Sequence, residues 1–252
     1  SYPGIYSLRT SSSSLTPGIR DKGLVGYWKF DEATGTIAYD SSGNGNIGTL
    51  YGLPTWTIGK VGGALSFDGN GDYVSLGNPL ILDFPTNDFT VSLLIKSNST
   101  PYYESDPNYS ATASSILDKG TGWTVDGYGI WFTKDNEINF VNDSNNGGRG
   151  RDDLKSATKL LLGEWYHVVI QRKSNIKYIF INGVKDSNTA NVSNQEWSDT
   201  TRPVFIGKHD VDTNYVKPTG CFQYFDGLID DVRIYNRALS AAEIQAIYNA
   251  TK

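Results

Sequence analysis

Residues 223–252 read QYFDGLIDDVRIYNRALSAAEIQAIYNATK, and within them an alternating strand runs straight into a capped helix. Side chains alternate sides along a strand, so Leu228, Asp230, Val232 and Ile234 are expected on one face and Ile229, Asp231, Arg233 and Tyr235 on the other. That parity sets Asp230 among apolar neighbours, where a carboxylate is costly unless a cation or hydrogen-bond donors compensate it. The start of the helix is legible: Ser240 as N-cap and Glu243 three residues on form a capping box. Ile244, Ile247 and Tyr248 follow at helical spacing.

Upstream, strand-like segments recur between Gly, Asn and Asp punctuation. Among about a dozen are LVGYWKF (24–30), ALSFDG (64–69), FTVSLLIK (89–96), GYGIWFT (127–133), WYHVVIQR (165–172) and IKYIFINGV (176–184). The last two read as a hairpin across the turn KSN. With 16 Tyr, 10 Phe, 6 Trp and 27 Gly in 252 residues and only 19% charged residues, the chain reads as all-β. The expected architecture is a two-sheet antiparallel sandwich or jelly roll with one short C-terminal helix. Residues 1–22 hold an SSSS run and two prolines without sustained period, so they are read as an N-terminal linker arm ahead of a single domain over 23–252.

Twenty-two basic against 27 acidic residues give a net charge of −5, and no block of five or more Lys and Arg occurs, so nucleic acid and anionic membrane surfaces are poor partners. No run approaches the roughly eighteen apolar residues of a membrane span, so no membrane insertion is expected of this chain. Its opening, SYPGIYSLRT, lacks the pattern of a signal peptide, and any such segment is expected to have been removed. Cys221 is the only cysteine, which excludes an intrachain disulfide framework or thiolate zinc site. Sequons at Asn98, Asn108, Asn142, Asn191 and Asn249 lean towards an extracellular protein.

The segments GLVGYWKFDEATGTIAYDSSGNGNIGTLYG, GKVGGALSFDGNGDYVSLG, FTVSLLIK, GEWYHVVIQR, IFINGV and FDGLIDDVRIYNRALSAAEIQAIY occur in this order. Together they resemble the laminin G-like (LamG), concanavalin A-like lectin-glucanase jelly-roll domain of secreted prokaryotic proteins, over residues 23–250. The resemblance implies two stacked antiparallel sheets, a structural calcium ion in many members, and carbohydrate binding or adhesion at the cell surface or outside the cell. The family also serves as an accessory module on enzymes, so the fold alone does not give the function.

The run Asp40-Ser-Ser-Gly-Asn-Gly-Asn places side-chain oxygens at 40, 42, 44 and 46, a spacing that suits a hard cation. An EF-hand is excluded, because Tyr51 stands where the bidentate Glu is required and no helix precedes the loop. The competing reading is an Asx-rich loop whose side chains bond their own backbone. In the resembling domains the first and last strands lie side by side, which would bring Asp31 and this loop near Asp230. A structural calcium is therefore expected, with Asp31, Asp40 and Asp230 as charged ligands and Asn44, Asn46 and backbone carbonyls completing the shell.

Catalysis has little support. His167 reads as a packed histidine, and His209 as more open but without a nucleophile at recognisable spacing. No strand carries the alternating carboxylates of a glycosidase; Asp135 with Glu137 reads as a turn. The chain is read as a non-enzyme whose partner is a glycan or a cell-surface protein. Loops mixing aromatics with planar polar groups are the candidate contacts, with Tyr102, Tyr103, Arg149 and Tyr215 foremost. Trp28, Trp131 and Trp165 are assigned to the core. The alternatives are the exposed domain of a surface filament or pilin-like subunit, suggested by the opening SYPG, and an accessory module of, or enzyme acting on, polysaccharide.

Overall fold

The computed structural model describes residues 22–101, 113–120, 127–143, 151–192, 201–209 and 222–252; the N-terminal arm as far as residue 21 lies outside them. The described chain forms β1 (Leu24–Trp28), β2 (Ile37–Ala38), β3 (Gly48–Tyr51), β4 (Thr55–Ile58), β5 (Gly63–Asp68), β6 (Tyr73–Ser75), β7 (Phe89–Ser97), β8 (Ala113–Lys119) and β9 (Gly127–Thr133). It continues through β10 (Glu137–Asp143), β11 (Arg151–Lys159), β12 (Tyr166–Lys173), β13 (Ile176–Ile181), β14 (Val184–Asn191), β15 (Val204–Ile206), β16 (Phe222–Tyr224), β17 (Asp226–Tyr235) and the helix α1 (Ala241–Ala250).

One sheet runs β14-β13-β12-β7-β17-β5-β4 with β1 also on β17, and the other runs β11-β10-β9-β8-β15-β6-β3-β2 with β16 also on β8. Pairing is antiparallel throughout except for β16 with β8. The protein is thus the expected jelly-roll sandwich. Its first and last strands do lie side by side: β1 pairs with residues 232–235 of β17, and β5 pairs with residues 226–229 of the same strand edge. The hairpin read at KSN is also present, with Lys173 opposite Ile176. Ser174 and Asn175 between them both take positive φ, 50° and 63°, the backbone of a type I′ turn.

The strand face expected for residues 228–235 needs correction. A β-bulge shifts the register between Asp230 and Arg233, and Asp231 sits at its apex with φ 54°. Ile229, Val232 and Ile234 all face the core between the sheets, whereas Asp230, opposite Leu94, lies on the outer face of the first sheet. Two residues of opposite parity thus share the core because the bulge inserts one residue between them. The core itself is aromatic-rich: Phe84, Phe89, Tyr128 and Phe140 interlock, with Phe84 stacked on Phe89 at 5.0 Å.

On the outer face, Ile244 and Ile247 of α1 pack with Val169, Phe180, Tyr235 and Leu239. The helix begins as expected: Ser240 accepts from the Glu243 amide and Glu243 returns the bond to the Ser240 amide. Among the described residues no helix is long and apolar enough to cross a membrane.

Candidate functional site

The Asp40 loop turns inward on itself. Asp40 Oδ1 accepts from the amides of Tyr27 (2.9 Å) and Ser42 (2.8 Å), and Oδ2 accepts from that of Asn46 (2.9 Å). Burial acts to raise this carboxyl, but those bonds outweigh it and hold the group below its ordinary value. Asn44 donates to Leu24 O and Ser42 Oγ, and Asn46 donates to Val25 O. Among the described residues no three His, Cys, Asp or Glu side chains stand together as a metal-ligating group.

Asp31 and Asp230 each hold the tight turn between β4 and β5, away from the Asp40 loop. Asp31 Oδ1 accepts from Gly63 N (2.7 Å), and Asp230 Oδ2 from Lys60 N (3.0 Å) and Val61 N (2.9 Å). The turn needs its glycines: a methyl on Gly59 would press on the Gly63 carbonyl and stand 2.6 Å from Asp230 Oδ2, and one on Gly62 would collide with Asp31. Asp230 is fully buried and its Oδ1 has no partner. Burial, joined by the negative charges of Asp231 and Asp31, pushes its carboxyl up to about 7 against the two amide bonds. The Asp230 Oδ1 is thus a buried carboxylate oxygen without a hydrogen bond, the kind of atom a hard cation would satisfy. Asp231, by contrast, is already engaged: it accepts from Tyr27 Oη (2.6 Å) and Arg233 (2.9 Å), and Arg233 lies 4.2 Å over the Tyr27 ring.

Tyr102, Tyr103, Arg149 and Tyr215 lie outside the described residues. Next to Tyr102 in sequence, Pro101 borders a cleft of about 210 Å³ lined by Asp68, Ser99, Ser114, Tyr224 and Asp226. The sequence reading passed over this group. Asp68 and Asp226 are direct cross-strand partners, a like-charge pairing that costs stability. Part of the charge is met locally, since Asp226 accepts from Asn98 Nδ2 (3.1 Å) and Ser99 Oγ (2.6 Å), and Asp68 from Asn70 N (2.7 Å). What remains is an acceptor-rich recess with a half-buried tyrosine at its wall.

Both histidines are buried. His167 is 1% exposed, as a packed histidine should be, with Nε2 2.8 Å from Ser92 Oγ. His209, read as open, is 3% exposed and its Nδ1 lies 3.0 Å from Asp118 Oδ2, which also accepts from Trp131 Nε1. Trp28 and Trp131 are buried as assigned, but Trp165 precedes β12 and is only half-buried. It lines a second cavity, of about 160 Å³, with Lys60, His167, Asn182, Tyr248 and Lys252.

A family model described as the concanavalin A-like lectin/glucanases superfamily matches residues 68–245. The chain belongs to this superfamily. No curated protein matches. Among solved structures, domain 4 of AbnA, a GH43 extracellular arabinanase from Geobacillus stearothermophilus in complex with arabinotriose, is similar with TM-score 0.66 and 20% identity over 89% of this chain and 98% of that one. The binding domain of Paraclostridial Mosquitocidal Protein 1 has TM-score 0.70 and 16% identity over 92% of this chain and 53% of its own length. The binding domain of botulinum neurotoxin DC in complex with SialylT has TM-score 0.66 and 13% identity, covering 92% and 52%. The chain thus spans about half the length of the toxin binding domains it resembles.

Proposed function

We propose that this superfamily member is a non-catalytic, extracellular binding module for glycans or a glycan-bearing surface partner. The observation that carries the reading is the cleft of Asp68, Ser99, Ser114, Tyr224 and Asp226. Paired carboxylates and hydroxyls accept from neighbouring sugar hydroxyls, and a tyrosine ring covers the C–H face of a sugar. A ligand that donates to both carboxylates offsets the repulsion of the empty pair. The solved relatives include a domain in complex with arabinotriose, and binding domains make up the others named above.

The test is an array of glycans probed with the whole chain, followed by titration of the hits against Asp226→Asn and Tyr224→Ala. Each substitution is expected to weaken binding about tenfold or more, the scale of one charge-assisted hydrogen bond or one aromatic contact, with the melting temperature little changed. Polysaccharide cleavage by the purified chain, abolished by Asp226→Asn, would overturn the non-catalytic reading.

A structural calcium belongs to the same proposal, with Asp31 and Asp230 as its carboxylate ligands; the orphaned Asp230 Oδ1 is what supports it. Calcium above its dissociation constant is expected to raise the melting temperature, and a chelator to lower it, because binding to the folded state alone adds to stability. Asp230→Ala abolishes that response. An unchanged calcium response in that variant removes Asp230 from the site.

A further inference from the structure

The second cavity differs in polarity from the first. Lys60 and Lys252 line it, no acidic side chain does, and neither ammonium meets a carboxylate among the described residues. It lies on the outer face of the first sheet, where Asp230, Leu94 and His167 follow one another across β17, β7 and β12. The residues around it come from distant parts of the chain: Lys60 from the β4–β5 turn, Trp165 from the approach to β12, Asn182 from the β13–β14 turn, and Tyr248 and Lys252 from α1 and the residues after it.

Three features equip this pocket for more than packing. His167 Nδ1 is buried with no partner, while Nε2 is engaged by Ser92. Burial, aided by the charge of Arg233, keeps the ring neutral, so Nδ1 is a donor in one tautomer and an acceptor in the other, and a hydroxyl satisfies either. The Asn182 Oδ1 accepts from His167 N at 3.0 Å, which fixes the amide and keeps its NH₂ as a donor. Trp165 and Tyr248 supply aromatic surface; Tyr248 is already held by stacking on His167, centroids 6.0 Å apart, and by Lys252 5.0 Å over its ring. At about 160 Å³ the space falls below the ~300–1,000 Å³ of a drug-sized site and suits a single ring.

We propose that this pocket binds one carboxylate-bearing sugar ring, its acid group between Lys60 and Lys252, a hydroxyl on His167 and Asn182, and its apolar face on Trp165. The inference deepens the glycan-binding reading and rests on it, but it uses a different cavity with different residues. The two are therefore separable by mutation.

The experiment titrates the full chain with a glucuronate-terminated oligosaccharide, its glucose-terminated counterpart and inorganic phosphate, following heat and tryptophan fluorescence. The acidic sugar is expected to bind about tenfold tighter than the neutral one, as charge-assisted hydrogen bonds require. Added salt should narrow that gap. Lys60→Gln and Lys252→Gln each lower acidic-sugar affinity about threefold or more, the scale of an exposed ion pair, and leave the melting temperature unchanged. Trp165→Ala removes binding and the fluorescence change together. Equal binding of acidic and neutral sugars, or acidic-sugar affinity untouched by both lysine substitutions, overturns the inference. So does phosphate competing as well as the sugar, which would make the site a general anion pocket. Neutral-glycan binding lost in Asp226→Asn alone, with no acidic-sugar binding, leaves the binding-module reading standing and ends this one. A panel on which no glycan binds ends both.

Discussion

Asp230 and His167 flank Leu94 on one sheet face, and each carries an ionisation that folding makes unfavourable. Burial pushes Asp230 up to about 7 and pulls His167 down to about 3. For Asp230 the folded value lies above the unfolded one near 3.8, so its contribution is full below pH ~4 and is lost as pH rises to ~7. For His167 the folded value lies below the unfolded one near 6.5, so its contribution is full above pH ~6.5 and is lost as pH falls towards ~3. The two slopes oppose each other across almost the same window, and in chelator the wild type should show a flat stability profile between about pH 4 and 6.5. Asp230→Asn should leave stability rising with pH, and His167→Gln should leave it falling, each by up to about 3 kcal/mol across the window. Urea unfolding at several pH values measures all three; parallel profiles for the two variants would show that the groups do not titrate as described. Calcium, if held by ionised Asp230, should cancel the fall seen in His167→Gln. That Asp230 needs compensation was legible, but not for the reason its parity offers: the bulge takes Val232 and Ile234 to the core and leaves Asp230 buried on the outer face. The partners of Asp230 were not legible, because the Lys60 and Val61 amides reach it from about 170 residues away.

At the scale of elements, α1 was the most legible because its signals are local: cap, third residue and apolar stripe all lie within nine residues. Arg237 adds to the cap, 2.6 Å from Glu243 Oε1, and it is the main reason the Glu243 carboxyl is held down at about 2. That folded value is below the unfolded one, so the contribution is present above pH ~4.5 and is lost as pH falls to ~2. Ser240→Ala should cost about 1 kcal/mol at neutral pH by urea unfolding, the usual worth of an N-cap. A cost near zero would mean that Arg237 and Glu243 hold the helix end without the serine. The β17 bulge was illegible for the opposite reason. Nothing near Asp231 marks a left-handed residue; its side chain is satisfied by Tyr27, 204 positions earlier, and by Arg233. The Asp40 loop was ambiguous between cation and backbone, since both readings need the same oxygen-rich spacing, and the structure has its oxygens on amides.

For the whole molecule, segment order was enough to read the sandwich, because each strand carries its own alternation and the fold depends on their sequence. Neither cleft was readable that way. Asp68 with Asp226, and Lys60 with Lys252, become neighbours only through pairings made across most of the chain. β17 is the element on which those pairings converge, with β7 along one edge and both β1 and β5 along the other. A chain ending at Phe225 should therefore lack native structure, not lose a mere increment of stability, and near-ultraviolet circular dichroism would report the missing aromatic packing. A folded truncation product would show that β7 and β5 can close against each other without it.

The late position of β17 also sets an order on biosynthesis. Ser99, just beyond β7, waits 127 residues for Asp226. Until β17 leaves the ribosome, β5, β7 and β1 each present an edge with no native neighbour, and exposed edges of this kind recruit foreign strands. Those edges stay open to wrong partners until β17 arrives to cover them. Closure of the sandwich is expected to be slow, because the contacts that β17 makes are so distant in sequence.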